Sequence, residues 1–199
     1  MSTETTPSYR GYWALIISQF QGAFNDHAFK NLLLLVALSL DPSVEHSNKW
    51  SSLIPAVFIA PFLLFAMHSG FLADRYSKRT IIIGTKWLEI AIMLGAGLAF
   101  LSGHLYFGLL MLFLAGTQAA YYGPSKYGIL PELVREKHLS WANGIIELTT
   151  FAAIILGTFA GTLFFVHFKA SLHYAALVLT GLSVLGLAAS YRIDEVQAA

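Results

Sequence analysis

A chain of 199 residues that is 56% hydrophobic and only 12% charged cannot cover a water-facing surface of its own, since soluble domains carry about 25% charged residues. Twelve Lys and Arg against eleven Asp and Glu leave a formal net charge of +1, which excludes the basic patch that a nucleic-acid partner needs. The absence of cysteine excludes a disulfide framework and any thiolate metal site. These limits point to a single membrane-embedded domain, residues 1–199, with lipid as its main solvent and with no cofactor or metal implied.

The N-terminus is polar from Met1 to Tyr9. The apolar run after Arg10 is broken by Gln19, Gln21, Asn25 and Asp26, and no small-residue cleavage site follows it. It therefore reads as a retained span and not as a secretory signal peptide. A hydrocarbon core about 30 Å thick needs roughly 20 helical residues. Six stretches reach that length: Gly11–Leu40, Ser52–Leu72, Thr80–Ser102, Leu105–Tyr122, Ser140–Val166 and Ser171–Tyr191. Their apolar runs are continuous and lack the period-two alternation of barrel strands, so the predicted fold is an all-α membrane protein with six transmembrane helices. Gly123-Pro124 is expected to stop the fourth helix and Ser140 to cap the fifth.

The cations fall mainly on one side. Arg10, Arg75, Lys78, Arg79, Lys126, Arg135, Lys137 and Arg192 lie there, against Lys49 and Lys169 on the other. The positive-inside rule then puts both termini in the cytoplasm. Trp13, Trp50, Trp141, Tyr12 and Tyr191 fall near the predicted interfaces, where an aromatic belt belongs.

Several residues are ones that lipid does not tolerate. Asp26, His27 and Lys30 fall near the middle of span one, where an ionised group costs at least a few kcal/mol. Asp26 and Lys30 are four residues apart and can pair on one face. Gln19 extends that stripe, and Ser18, Gln21 and Asn25 form an adjoining one. Two readings stand: a structural ion pair, or a substrate or coupling-ion site facing a water-filled cavity. The amides in excess of one ion pair favour the second. Lys86 and Glu89 in span three read as an internal structural pair near the cytoplasmic end, where Lys can snorkel. Glu147 in span five has no charged partner on its own helix, so it finds one elsewhere or is protonated; it is a proton-coupling candidate or a hydrogen-bonded packing group. Gly157 and Gly161 form a small-xxx-small step for close helix approach. Gln118 adds polar surface late in span four, and His68 reads as a satisfied packing histidine. His104, His167 and His173 are not spaced as a metal site.

Two motifs carry a resemblance. The loop Gly70-Phe-Leu-Ala-Asp74-Arg75-Tyr-Ser-Lys78-Arg79 joins spans two and three tightly, with Asp74 placed to meet a helix N-terminus and three cations placed to anchor on an anionic leaflet. It resembles the G-x-L-A-D-R-x-G-R/K-R/K loop of the major facilitator superfamily, with Ser77 where glycine is usual. Tyr122-Gly-Pro-Ser-Lys126-Tyr127-Gly-Ile-Leu-Pro131-Glu132, with Phe24-Asn25-Asp26, Phe29-Lys30-Asn31, Ala142-Asn143-Gly144 and Glu147, is similar to the bacterial lysophospholipid transporter branch of that superfamily. The likeness runs over roughly residues 10 to 190.

The resemblance implies the N-terminal half of a carrier, a six-helix 3+3 inverted repeat working with a second six-helix half. That partner would be a missing C-terminal half or a second copy. It implies inward movement of lysophosphatidylethanolamine-type lipids across a bacterial inner membrane by alternating access. Membrane lipid and an amphiphilic small molecule are then the ligands. Asn25, Asp26, Lys30, Gln118 and Glu147 would face the path, on spans one, four and five. Gly70, Asp74, Arg75, Lys78 and Arg79 would form the loop that latches the two halves. No acyltransferase H-x-x-x-x-D motif appears, and no HExxH or nucleophile elbow points to an enzyme. The alternatives are a proton-coupled drug or metabolite efflux carrier and a non-transporting half-carrier acting as a partner subunit.

Overall fold

A computed structural model describes residues 9–41 and 43–194, and the polar lead before Tyr9 lies outside the described residues. Among the described residues every regular element is helical. Six long helices carry the fold: α1 (Tyr9–Leu40), α2 (Val44–Arg75), α3 (Lys78–Ser102), α4 (Leu105–Gly128), α6 (Leu139–His167) and α7 (His173–Ser190). Between α4 and α6 lie the four-residue α5 (Leu130–Leu133) and a single 3-10 turn, Glu136–His138. Five helical segments are long and apolar enough to cross a membrane by composition alone, and α1 is not among them. Its polar residues lower its hydropathy, and its neighbours α2, α4, α6 and α7 enclose it.

Several boundaries differ from those predicted. Helix α2 begins at Val44, eight residues earlier than Ser52, because Ser43 caps it: its Oγ accepts from the His46 amide at 3.3 Å. Helix α4 does not stop at Pro124 but runs to Gly128. A proline removes one backbone donor and not the helix itself when packing holds the next turn, and here Ser125 and Lys126 are both buried. Helix α6 has His138 at its N-cap position, with no side-chain capping bond, so Ser140 lies inside its first turn. Gly103 ends α3 with φ +68°, the left-handed position that glycine adopts without cost.

The packing is pseudo-symmetric. Exchanging α1 with α4, α2 with α6, and α3 with α7 maps the α1–α6 contact onto α2–α4 and the α1–α7 contact onto α3–α4, while the α1–α4 and α3–α7 contacts map onto themselves. This is the pattern expected of two related three-helix units. Two buried apolar clusters fill the bundle. One surrounds Phe29, Ile54, Met93 and Leu112, and the other, at the end that carries the termini, surrounds Tyr12, Ile82, Leu133 and Ile146. Large apolar side chains such as Leu63, Met67, Leu148 and Ile155 are exposed, as a lipid-facing surface requires. The aromatic belt is only partly as predicted. Trp13, Trp141 and Tyr191 are exposed, whereas Trp50 and Tyr12 are buried. Trp50 packs between His46 and Tyr106, and Tyr12 donates to the Ala142 carbonyl.

The predicted small-residue step sets the α1–α6 contact. A Cβ at Gly161 would lie 2.6 Å from the Ala28 carbonyl oxygen, and one at Gly157 would collide with the Phe24 carbonyl oxygen. A Cβ at Gly181 would meet nothing within 4 Å. Gly161→Leu is therefore expected to destabilise the bundle by about 3 kcal/mol, and Gly181→Ala to stabilise it by up to about 1 kcal/mol. Thermal unfolding in detergent micelles checks this, and equal melting temperatures would contradict it. Ser43 also holds the Asp41 carboxylate through its backbone amide at 2.9 Å and its hydroxyl at 3.1 Å, which lowers the Asp41 pKa below the usual carboxylate range. A lowered folded-state pKa contributes stability at higher pH and loses it as pH falls through that pKa. Ser43→Ala should cost about 1 kcal/mol by removing the cap, a loss that persists in acid, and only the additional part carried by the hydroxyl's bond to Asp41 should fade as Asp41 protonates.

Candidate functional site

Helices α4 and α6 barely touch each other, and a cavity of about 280 Å³ opens between them against α1. Its α1 wall is the stripe Gln19, Gly22, Ala23 and Asp26, spaced by three and four residues so that they share one face. Phe58 and Phe62 of α2 form an apolar wall, Lys86 reaches in from α3, and Thr150 and Ile154 of α6 close the far side. Helix α4 supplies Gln118 and, because it continues through Pro124, Lys126 and Tyr127 as well.

Asp26 lines this cavity but is not paired with Lys30. The predicted ion pair does not form: Lys30 Nζ turns to His27 Nδ1 at 3.2 Å and sits 5.2 Å from the Phe58 ring centre. The two side chains leave α1 about 40° apart, enough for one to face the cavity while the other leans toward α2. Asp26 is 6% exposed, and its Oδ1 is buried without a hydrogen-bond partner. Across the cavity, Lys126 is 8% exposed, lies 4.5 Å from the Tyr127 ring centre, and has no hydrogen bond or ion pair among the described residues. Gln118 is buried on the same wall. The cavity is thus lined by one carboxyl and one amine, Asp26 and Lys126, that have no hydrogen bond or ion pair among the described residues, together with the Gln118 amide and aromatic rings. Unsatisfied polar groups at such depth are costly, so an arrangement of this kind suits a ligand that carries both charges.

The other path candidates stand elsewhere. Asn25 turns away from the cavity and donates to Glu89 Oε1 at 3.1 Å, to Ser183 Oγ at 2.8 Å and to the Leu179 carbonyl at 2.9 Å. Glu147 is exposed just outside the lining, and finds its partner on α4: Tyr127 donates its hydroxyl to Glu147 Oε1 in a short hydrogen bond. Among the described residues this bond alone joins α4 to α6 side chain to side chain. Gln19 ties α1 to α6, donating to Thr149 Oγ1 at 2.6 Å and accepting from Thr150 Oγ1 at 2.9 Å.

Lys86 and Glu89 form the predicted internal pair, at 2.8 Å, but Lys86 does not snorkel: both side chains are 1% exposed. Lys86 also donates to Gln21 Oε1 at 2.9 Å, and Glu89 Oε1 accepts from Gln21 at 2.7 Å and from Ser183 at 2.9 Å. An ammonium met by two oxygens at that range has no need of the interface. The extent of this network was not legible in the sequence, because Gln21, Glu89 and Ser183 are distant in the chain. Lys126 was visible as one of the cytoplasmic-side cations and as part of a family-like segment but not as a cavity residue, since a helix expected to stop at Pro124 would have left it in a loop.

The loop motif divides into two parts. Lys78 pairs with Glu132 at 2.9 Å, and Arg79 donates to the Ile193 and Tyr191 carbonyls at 2.6 and 3.1 Å. These two cations therefore staple the end of the bundle instead of anchoring on lipid. Arg75 lies exposed over Phe71 and Tyr76. Asp74 closes α2, exposed and without a hydrogen bond among the described residues, and does not cap α3. A Cβ at Gly70 would meet nothing within 4 Å, so no close contact within this chain requires glycine there. His68 is satisfied by Tyr121, at 2.6 Å, but is exposed and not packed inside.

Glu89→Leu would leave the buried Lys86 ammonium without its counter-charge, holding only the neutral Gln21 Oε1, and would take an acceptor from Gln21, Asn25 and Ser183. It is expected to cost about 3–5 kcal/mol, and Lys86→Met with Glu89→Leu far less, because removing both partners leaves no buried charge. Thermal unfolding of the two variants in one detergent compares them; equal losses would show that the ion pair is not what holds these helices.

The chain is 35% identical over 189 residues to the lysophospholipid transporter LplT of Klebsiella pneumoniae subsp. pneumoniae, an alignment that covers 94% of this chain and 45% of the relative. The corresponding proteins of Pectobacterium carotovorum subsp. carotovorum and Escherichia coli strain SE11 are 35% identical over 165 residues and 36% identical over 160 residues. Those alignments cover 81% and 80% of this chain, and 38% of each relative. The chain thus spans less than half the length of the curated relatives it matches. A family model for the Major Facilitator Superfamily matches residues 15–198, and the chain belongs to that superfamily of multi-pass membrane transporters.

Proposed function

We propose that this chain is the N-terminal six-helix half of an alternating-access carrier for lysophospholipids, lysophosphatidylethanolamine among them. The observation that carries the reading is an acid and a base, Asp26 and Lys126, that line one cavity beside apolar walls with no hydrogen bond or ion pair among the described residues. A lysophosphatidylethanolamine head group has an ammonium for Asp26 and a phosphate for Lys126, and Phe58 and Phe62 offer an apolar surface to the start of its acyl chain. The 35% identity to proteins named lysophospholipid transporters supports the same substrate class. Residues 1–199 act as one domain in this reading, and its work is binding and reorientation without covalent chemistry.

A cavity walled on one side by α4 and α6 is completed by a second six-helix half, either a C-terminal half or a second copy. The exposed Asp74 and Arg75 are the motif residues left over for that partner, since Lys78 and Arg79 are engaged within this half. The setting proposed is a bacterial inner membrane with both termini cytoplasmic, supported by the distribution of Lys and Arg.

The test is binding of labelled lysophosphatidylethanolamine to the chain in nanodiscs, and its uptake into proteoliposomes when the chain is paired with the second half. Asp26→Asn and Lys126→Gln are each expected to weaken binding at least about tenfold, one lost charge contact being worth about 1.4 kcal/mol or more. Unchanged affinity in both variants would remove the head-group assignment. Asp26→Asn losing only pH-driven uptake, with lysolipid binding intact, would favour proton-coupled efflux of another amphiphile.

A further inference from the structure

On the side of α1 turned away from the polar cavity, the bundle leaves a second opening. Helices α6 and α7 both pack on α1 but barely touch each other, and a groove of about 360 Å³ runs between them. Its floor is Ile16, Ile17, Phe20 and Phe24 of α1, with Leu182 and Leu185 of α7 along one rim. Phe20 and Phe24 stack with ring centres 6.5 Å apart, so the floor is a continuous apolar surface. The two polar side chains that border the groove are engaged elsewhere. The Gln21 amide is bonded to Glu89 and Lys86, and Thr149 Oγ1 donates to the Ile145 carbonyl and accepts from Gln19. Toward the termini the face of α1 that forms this floor turns polar. Arg10, Trp13, Ile17, Phe20 and Phe24 are three or four residues apart and so share that face. Arg10 and Trp13 are exposed, and among the described residues neither the guanidinium nor the indole N–H has a hydrogen-bond partner. From Ile16 to Phe24 the floor rises about 12 Å along the helix, within the roughly 15 Å of hydrocarbon that one leaflet supplies. The groove is sealed from the polar cavity. Gly157 and Gly161 hold α6 against α1 at backbone distance, and Gln19 pins both Thr149, which borders the groove, and Thr150, which lines the cavity.

We propose that the α6–α7 groove is a binding site for a bilayer phospholipid of the leaflet at the termini, with one acyl chain lying along α1 and the phosphate meeting Arg10 and the Trp13 indole N–H. An apolar floor that no side chain covers forfeits dispersion contacts, and an acyl chain restores them. A guanidinium fits a phosphate through paired N–H donors, and an indole at the membrane interface keeps its N–H toward the head groups. The bound chain takes the place of the contact that α6 and α7 do not make with each other, and so holds both helices across α1. A two-chain lipid is the occupant, and not a carried amphiphile, because the groove is open to the bilayer and closed to the cavity. The site is the same whatever the polar cavity transports.

The experiment is native mass spectrometry of the full chain released from nanodiscs of phosphatidylethanolamine and phosphatidylglycerol, with lysophosphatidylethanolamine added as a competitor. Wild-type chain is expected to retain a phospholipid. Ile17→Trp, which fills the groove from its floor, should lose it. Arg10→Gln should hold it about fivefold more weakly, the effect of one cation on a phosphate near the membrane surface. Val184→Trp places the same bulk on the exposed face of α7 outside the groove and should leave retention unchanged. Equal retention in all of these proteins would put the lipid elsewhere and overturn the proposal. So would a wild-type chain that retains no phospholipid, or one that takes lysolipid in its place. If Ile17→Trp does not yield folded protein, Arg10→Gln against Val184→Trp decides the matter.

Discussion

A carboxylate buried in a membrane protein must find all of its partners inside the protein, and Glu89 shows how far that requirement reaches. Its oxygens accept from Lys86, Gln21, Asn25 and Ser183, which lie on three different helices. Each donor is itself a residue that lipid would reject, so none can leave the arrangement without stranding another. Helices α1, α3 and α7 are thereby fixed in register by polar chemistry. Apolar packing could not do this alone, because lipid tails are as apolar as the side chains they would displace.

Once α1 is held from that side, its opposite face is free to be polar for another purpose. Gly157 and Gly161 bring α6 against α1 at backbone distance, and Gln19 is pinned between Thr149 and Thr150. The two sets of contacts grip α1 and leave the Gln19–Asp26 stripe facing the gap between α4 and α6. There the accounting changes. Glu89 is saturated with donors, whereas the Asp26 Oδ1 has none and Lys126 has only an aromatic face. Satisfied polar groups hold the helices together on one side of α1, and on the other side Asp26 lines the cavity without a hydrogen-bond partner for Oδ1.

The end of the bundle that carries the termini follows the same division. Lys78 and Arg79 of the loop motif are consumed by Glu132 and by the backbone carbonyls at the end of α7, which stiffens the short link between α2 and α3. Asp74 and Arg75 remain outside that set of contacts. A motif that looks uniform in sequence thus has a half that faces inward and a half that is free to face a partner.

The membrane class, the six helices, the tight α2–α3 link and the Gly157–Gly161 contact were all legible in the sequence, because each depends on composition or on spacing along one helix. Lys86–Glu89 was legible as a pair for the same reason: three residues apart is one helix face. What lay across the bundle was not. Nothing local shows that Asn25 would join Glu89 and Ser183 while Asp26, its neighbour, faces a cavity, since a rotation of about 100° between adjacent residues decides it and only packing sets that rotation. Lys30 was lost as a partner of Asp26 because four residues of helix bring two side chains near each other without making them face the same way. Lys126 entered the site because tertiary contacts carried α4 past a proline that local propensity marks as an end. Sequence determined which groups are too polar for lipid; tertiary structure decided which of them satisfy one another and which face the cavity instead, because hydrogen bonding across helices depends on orientation and not on order.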